Sequence, residues 1–446
     1  MIAAFTLMES FYRARRDFRS LRGEKLRTFQ DTRARAIVAY AVTHAPFYAR
    51  HYRDHDIRVW RTLPTTDKRL MMDNFGEFNT RRIALDDALC VALDAERTRD
   101  FSATIDGLTV GLSSGTSGHR SVFLGDRVEM ASWVGVVLAR LLPPFRGRGY
   151  TVTLFSMSGS NLYDDLRGHW LRFHHHDLAT PLDAAVSRLN VEQPDLLCGP
   201  PSYLAALSER RITGELRVAP RKLVSVAEVL EPHIAEALQQ RFGCPVHQIY
   251  QCSEGLIGIS CRLGRLHVQE DVVASQYEQL SPDNAAMALV ITDLRHRSQP
   301  IIRYRLGDIV TLASPDACEC GSAFQVIDQV EGRSDDICEF VKRDGSLHPV
   351  FPATIRRMVL LASEGIADYD AVQERPSQLR VRLTLSRDGD PAIVARAVRA
   401  SIVAGLQEQG VVAADIQIES GDREPTAGKR RRVRCLRSTD PTNAEH

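Results

Sequence analysis

Five short segments hold the residue types that a nucleotide-dependent reaction needs. Ser113-Ser114-Gly115-Thr116-Ser117-Gly118-His119-Arg120 lies between two apolar stretches, Leu108 to Leu112 and Val122 to Leu124. Its small side chains let backbone N–H groups and hydroxyls turn toward a polyphosphate, and its glycines permit dihedrals that other residues resist. No Gly-Lys-Ser/Thr follows at Walker spacing, so the residues alone also fit a plain Ser/Gly hairpin. Tyr250-Gln251-Cys252-Ser253-Glu254-Gly255 follows a strand pattern. An aromatic face and a carboxylate thus emerge together at a carboxyl strand end, where α/β sheets bind ligands. The ring can stack on a purine, and the carboxylate can hold Mg²⁺ beside a phosphate. Arg303 to Asp308 offers the Asp308 carboxylate to ribose hydroxyls, Glu331 to Asp336 adds Arg333 and Asp335, and Thr426-Ala427-Gly428-Lys429 sets a lysine on a glycine-containing loop. Taken singly, Glu254 reads as a surface carboxylate and Asp308 as a turn residue. The basic run Lys429 to Arg434 reads as a solvated face or a weak polyanion patch.

A second constellation is built from soft ligands. Cys261 and His267 form a Cys-x5-His pair, and Cys318 with Cys320 a Cys-x-Cys-Gly pair. Four such groups suffice for a closed tetrahedral zinc site, and buried reduced cysteines are the other reading of the same residues. The run His174-His175-His176-Asp177 is a poorer candidate. Adjacent strand residues point to opposite faces, so at best one of these histidines faces a substrate.

These groups need elements to position them. Residues from about 30 to 55 read as a helix ended by Pro46. Thr151–Phe155, Asp195–Cys198, Leu223–Val226 and Val246–Tyr250 read as strands, with helices at about 202–210 and 231–242 between them, which predicts an α/β fold with a mostly parallel sheet. Leu379 to Leu385 alternates apolar and polar residues, Asp390-Pro391 opens a helix with the stripe Val394, Val398, Ile402 and Leu406, and a last strand runs from about Asp415 to Glu419. A small, mobile β-α-β domain is therefore expected behind the large one, with residues 1–333 and 334–437 as the two units and 438–446 as a disordered tail. The length of 446 residues fits more than one core. A net charge of +1, with 44% hydrophobic and 25% charged residues, marks an ordinary globular chain and gives nucleic acid no bulk attraction. No apolar run of about 18 residues is present, which excludes a membrane-spanning helix. Charges from Glu9 onward break any signal-peptide core, so the cytoplasm is expected and the nine cysteines are expected reduced.

In this order the motifs resemble those of the adenylate-forming superfamily of acyl-CoA synthetases, adenylation domains and luciferases. The likeness is greatest to the phenylacetate-CoA ligase branch and related coenzyme-adenylating synthetases. Ser113–Gly118 is similar to the family's phosphate loop, Ser225-Val226-Ala227-Glu228 to its adenine-pocket segment, and Tyr250–Glu254 to its aromatic-x-x-Thr/Ser-Glu motif. Arg303–Asp308 is similar to Tyr-Arg-x-Gly-Asp, Gly332–Asp336 to Gly-Arg-x-Asp-Asp, and Lys429 to the catalytic lysine of the C-terminal domain. Leu63-Pro64 and Asp67-Lys68 also look like this branch.

The resemblance implies an ATP- and Mg²⁺-dependent ligase that adenylates a carboxylic acid, an aromatic one by the branch, and transfers it to coenzyme A or another acceptor. Adenylation of a hydroxyl-bearing cofactor and a degenerate nucleotide-binding regulator are the alternatives. Ser113, Ser114, Gly115, Thr116, Ser117 and Gly118 would cradle phosphates, with Glu228, Tyr250, Gln251, Ser253, Asp308 and Arg333 completing the nucleotide site. Glu254 would ligate Mg²⁺, Asp335 would be the hinge, and Lys429 would bridge the carboxylate and the α-phosphate. Phe155, Ser156, His175, Pro200, Tyr203 and Ala227 would line the acyl pocket. The branch is similar at Cys261, His267, Cys318 and Cys320 too, which implies a structural zinc. His119 stands where the family has lysine, with Arg120 beside it to supply the charge, and Gln251 replaces a glycine and narrows the acyl entrance. The oligomeric state is left open, a homodimer included.

Overall fold

Helices α1 (Ile2–Ser20), α2 (Gly23–His44) and α3 (Pro46–His51) open the chain in the computed structural model. The structure describes residues 2–113, 120–144, 147, 149–157, 170–280, 285–314, 317–386, 389–411, 414–421 and 431–436. The single helix expected over 30–55 is thus two. Pro46 ends α2 because it cannot continue the hydrogen-bond ladder, and it opens α3 at the first position, where its missing N–H costs nothing. After α4 (Lys68–Asp73), α5 (Phe75–Phe78) and α6 (Leu85–Thr98) comes a three-stranded antiparallel sheet of β1 (Thr104–Ile105), β2 (Leu108–Leu112) and β3 (Val122–Asp126). Asp126 then starts α7 (Arg127–Leu141): its carboxylate accepts from the Val128 and Glu129 N–H groups, and Glu129 reaches back to the Asp126 N–H.

The large sheet has eleven strands in the order β11-β12-β13-β14-β10-β9-β8-β7-β6-β4-β5. β4 (Tyr150–Ser156), β5 (Leu171–Asp177), β6 (Leu196–Gly199), β7 (Lys222–Ser225) and β8 (Val246–Cys252) run parallel. Their crossovers are α8 (Leu182–Glu192), α9 (Pro201–Ile212) and α10 (Pro232–Phe242). The remaining strands are β9 (Gly255–Ser260), β10 (Leu266–Val268), β11 (Val273–Gln279), β12 (Ala286–Asp293), β13 (Tyr304–Leu312) and β14 (Val326–Arg333). All of them pair antiparallel. The mostly parallel sheet expected from sequence is therefore parallel on one side only. Helical patterns stop after α10, and strands joined by short hairpins need no crossover.

Beyond a 3₁₀ turn (Ser334–Asp336) lies the second unit. It contains the hairpin β15 (Cys338–Val341) and β16 (Leu347–Val350), then α11 (Pro352–Leu360), β17 (Ile366–Arg375), β18 (Gln378–Leu385), α12 (Pro391–Glu408), β19 (Asp415–Ser420) and β20 (Val433–Cys435). Its buried cluster draws only on residues from Cys338 to Val433. Val394, Val398, Ile402 and Leu406 are buried along α12, and Asp390 caps it through the Ala392 and Ile393 N–H groups. The sheet order β19-β18-β17-β20 makes this unit larger than the expected β-α-β. β20 escaped notice because it sits in the basic run, where Val433 is the one apolar residue between arginines. It pairs parallel with β17, Val433 opposite Ala371.

The seat between the two units is charged. Glu231, ahead of α10, is buried and faces Arg356 at 3.5 Å and Arg432 at 3.7 Å from the small unit. On the small-unit side, Arg431 forks onto the buried carboxylate of Asp336, its Nε 2.9 Å from Oδ2. The apolar part is one small cluster, Phe351 against Ala286 and Ile309. Among the described residues no helix is long and apolar enough to cross a membrane. The expected tail, 438–446, lies outside the described residues.

Candidate active site and metal centre

Side chains from the carboxyl end of β8 and the residues after it meet those from the first half of β13 in one charged cluster. A register shift between Tyr250 and Gln251 in the β8–β9 pairing re-aims this end of the strand. The Tyr250 hydroxyl donates to Asp308 Oδ2 at 2.6 Å, and Arg333 Nη1 donates to Asp308 Oδ1 at 3.2 Å. Asp308 and Arg333 are cross-strand partners on β13 and β14. Arg333 Nη2 also reaches the Leu306 carbonyl at 3.2 Å. That reach requires a glycine at 307, which has φ +73° and where an added Cβ would lie 2.9 Å from Arg333 Nη2. Burial works against the Arg333 charge, but Asp308, Asp335 and Glu254 outweigh it and raise its pKa. Its Nε is buried and has no hydrogen-bond partner.

Glu254 sits beside this group, 8% exposed, accepting from the Tyr304 hydroxyl at 3.0 Å and the Ser253 hydroxyl at 2.9 Å. The segment before α4 is stitched to the start of β13: Thr66 N–H donates to the Arg303 carbonyl at 3.0 Å, and Arg305 N–H to the Thr66 carbonyl at 2.8 Å. Asp67 caps α4 through the Leu70 N–H. The result places Lys68 by Glu254. Burial lowers the Lys68 pKa, and the Glu254 charge opposes that shift. The sequence shows Asp67 as a cap ahead of Lys68, but nothing in it says that Lys68 faces Glu254. Tyr304 was likewise visible only as a motif residue, and Arg431 only as part of a basic run.

The other site expectations fall in several places. Ser113 closes the base of its loop: its N–H donates to the Ser121 carbonyl at 2.8 Å, and its Oγ accepts from the Ser121 N–H at 2.7 Å. Arg120 forks onto the Glu96 carboxylate and donates from Nε to the Ser113 carbonyl at 2.9 Å. Its charge is therefore engaged at the loop base, contrary to the expectation that it replaces the missing lysine. Ser114, Gly115, Thr116, Ser117, Gly118 and His119 lie outside the described residues, as does Lys429. Glu228 accepts from the Ser202 N–H and hydroxyl at the start of α9. Ala227 has φ +68°, where an L-residue costs about 1–2 kcal/mol. Gln251 is exposed, and Asp335 is exposed while the neighbouring Asp336 is buried.

The acyl-pocket candidates divide between the two faces of β4. Ser156 Oγ lies 2.9 Å from His175 Nε2 on one face. Phe155 faces the other way, fully buried among Leu189 and Leu204, with its ring 4.8 Å from that of Tyr203. Pro200 is buried where α9 begins. Phe155 thus packs the helix layer in this structure. His176 points to that layer too, its Nε2 2.8 Å from Glu192.

At the far ends of β9, β10 and β13, Cys261, His267, Cys318 and Cys320 converge, their ligand atoms all within 4.8 Å of one another. Cys261 Sγ is 3.6 Å from Cys318 Sγ, and Cys320 Sγ is 3.5 Å from His267 Nε2. Such separations match the edges of a tetrahedron around zinc, and three thiolates with one imidazole suit that ion. His267 Nδ1 lies 2.8 Å from the Phe324 carbonyl, which fixes the ring so that Nε2 faces the sulfurs. All nine cysteines are free in this structure.

No family model matches the chain. It is 26% identical over 403 residues to phenylacetate-coenzyme A ligase of Thermus thermophilus, an alignment covering 81% of each chain. Among solved structures, 2-hydroxyisobutyryl-CoA ligase in its postadenylation state, bound to an acyl-AMP, overlays with a TM-score of 0.70 at 17% identity, over 95% of this chain and 92% of that one. The same ligase with acyl-AMP and CoA in its thioesterification state gives 0.56 at 18% identity, with the same coverage. A benzoate CoA ligase from Burkholderia xenovorans gives 0.51 at 15% identity over 74% and 68%. In fold the chain is similar to these acid-CoA ligases, and in sequence it is similar to phenylacetate-coenzyme A ligases.

Proposed function

We propose that the chain joins a carboxylic acid to ATP, releasing pyrophosphate and forming an acyl-adenylate, and then passes the acyl group to coenzyme A. In the first step a carboxylate oxygen attacks the α-phosphorus and the bond to the β-phosphate oxygen breaks. In the second a thiolate attacks the acyl carbon, AMP leaves, and a thioester remains. The observation that carries this reading is the Tyr250–Asp308–Arg333 cluster beside Glu254, at a carboxyl strand end of the fold. The buried Arg333 Nε without a partner suits a ribose or phosphate oxygen. Asp308 has lone pairs left for a ribose diol after taking Tyr250 and Arg333.

Two anions meet in the first step, so the residues must offset charge that peaks in the transition state. Glu254 is the carboxylate that would hold Mg²⁺, and Mg²⁺ characteristically shares one carboxylate with substrate phosphates and waters. Bound there, the ion would neutralise phosphate charge. Lys68 adds a protein cation at the same place, and Lys429, by its motif, is assigned the α-phosphate. The Cys₃His centre is assigned a structural zinc, because four protein ligands leave no open position for chemistry. An ATP- and thiol-dependent reaction supports a cytoplasmic setting. The branch favours an aromatic acid.

Pyrophosphate release on mixing the protein with ATP, Mg²⁺ and a panel of aryl and fatty acids tests the first step. A thioester detected by mass after adding coenzyme A tests the second. Release with an acid and a thioester thereafter is expected. Tight ATP binding with no release for any acid would overturn the proposal and favour a regulator.

A further inference from the structure

The amino ends of the parallel strands carry a second concavity, remote from the cluster around Glu254. Where α7 ends and β7 and β8 begin, a cavity of about 460 Å³ opens, large enough for a small ligand. Arg140, Arg221, Lys222, His247 and Arg262 line it, and no carboxylate does so among the described residues. Arg140 is answered from behind, its Nη2 2.9 Å from both Asp271 oxygens. Among the described residues the other three cations meet only backbone carbonyls: Arg221 on Pro144 at 3.2 Å, Lys222 on Leu141 at 2.8 Å, and Arg262 on Glu319 at 3.2 Å. Lys222 is only 8% exposed, and a buried ammonium with no counter-charge is costly. Burial lowers its pKa to about 8. His247 is 1% exposed, and its Nδ1 has no hydrogen-bond partner. A zinc held by three thiolates nearby would carry one net negative charge, enough to answer one of the three cations.

We propose that this cavity binds a small, multiply charged oxyanion, a phosphate ester or a polycarboxylate. Arg221 and Arg262 flank it at the rim, Lys222 meets it at the base, and the His247 imidazole supplies a hydrogen bond that the protein leaves unmade. The site is separate from the nucleotide cluster. His247 stands second on β8 and Glu254 follows the last residue of that strand by two, which puts roughly 20 Å of extended chain between them.

Calorimetric titration of the full chain with inorganic phosphate and with citrate tests the proposal. Binding of at least one is expected, weakened at least tenfold in Arg221→Ala/Arg262→Ala and unchanged in Arg58→Ala, which removes a surface arginine outside both sites. The anion that binds more tightly identifies phosphate or carboxylate as the natural class. Lys222→Met keeps the stem and removes the charge, and should give the same loss even if the arginine pair proves poorly folded. No binding of either anion at 10 mM would overturn the site. Equal binding by wild type and both cavity variants would do so too, as would an equal loss in Arg58→Ala.

Discussion

Two constellations sit toward opposite ends of the antiparallel half of the sheet, and they solve opposite problems. At one end Cys261, His267, Cys318 and Cys320 turn inward on one another, and His267 is braced by the Phe324 carbonyl. At the other, Glu254, Asp308 and Arg333 are tied by hydrogen bonds, yet Arg333 keeps a buried donor unused. The first set would satisfy itself around one small ion. The second is held in place and left incomplete, which is what a site for a larger, exchanging ligand requires. Both draw on β9 and β13, so a metal at one end would fix the strands that aim the carboxylates at the other.

The contrast can be broken at the metal end with the greatest effect. Cys320→Ser should abolish zinc retention and lower the thermal midpoint by about 10 °C or more, since loss of a structural metal is loss of folding energy. Metal analysis and a melting curve read this. An unchanged midpoint would make the four residues ordinary core thiols and imidazole. At the nucleotide end, Arg333→Lys keeps a charge beside Asp308 but loses the planar fork. Adenylation should fall about 10²-fold while the melting midpoint moves by only a few degrees. Pyrophosphate release and melting measured together separate the two effects.

A smaller effect sharpens the comparison through the ion pair that backs Glu254. His296 lies 3.4 Å from Glu129 beneath that residue. Burial disfavours the imidazolium, but Glu129 outweighs it and lifts the His296 pKa to about 9. Burial would likewise raise Glu129, yet His296 and Ser298 bring it down to about 2. The histidine's contribution to stability is full below its unfolded value of about 6.5 and is lost as pH rises through 9. Glu129's contribution is full above its unfolded value of about 4.3 and is lost as pH falls through 2. The melting midpoint should therefore decline between pH 6.5 and 9, and His296→Gln should flatten that decline. A variant that tracks the wild type across this range would remove the pair from the account.

Legibility in the sequence followed periodicity and local rules. The α12 stripe, its Asp390-Pro391 start and the strands β4, β6, β7 and β8 are local patterns, and they stand within a residue or two of where spacing put them. The antiparallel half was hidden because β9 to β14 alternate little where both faces are covered, and their pairing is non-local. In the site, motif residues such as Asp308 and Arg333 could be named from sequence and meet across two strands. Lys68 could not be given a partner, because its approach to Glu254 depends on the Thr66 backbone docking on β13. Arg120 misled for the same reason: its partner Glu96 is 24 residues away, on α6. The pairing of Phe155 with the helix layer follows from which face of β4 it takes, a parity that a one-residue shift would reverse.

The seat of the small unit has a consequence for reversibility. Glu231 with Arg356 and Arg432 holds it, together with an apolar cluster around Phe351. Surfaces joined mainly by charge can part without presenting a large greasy face to solvent, because each ion regains hydration as it leaves its partner. Separation and return then trade one set of polar contacts for another of similar strength. Such a joint would respond to dissolved salt, and it would not become adhesive on opening.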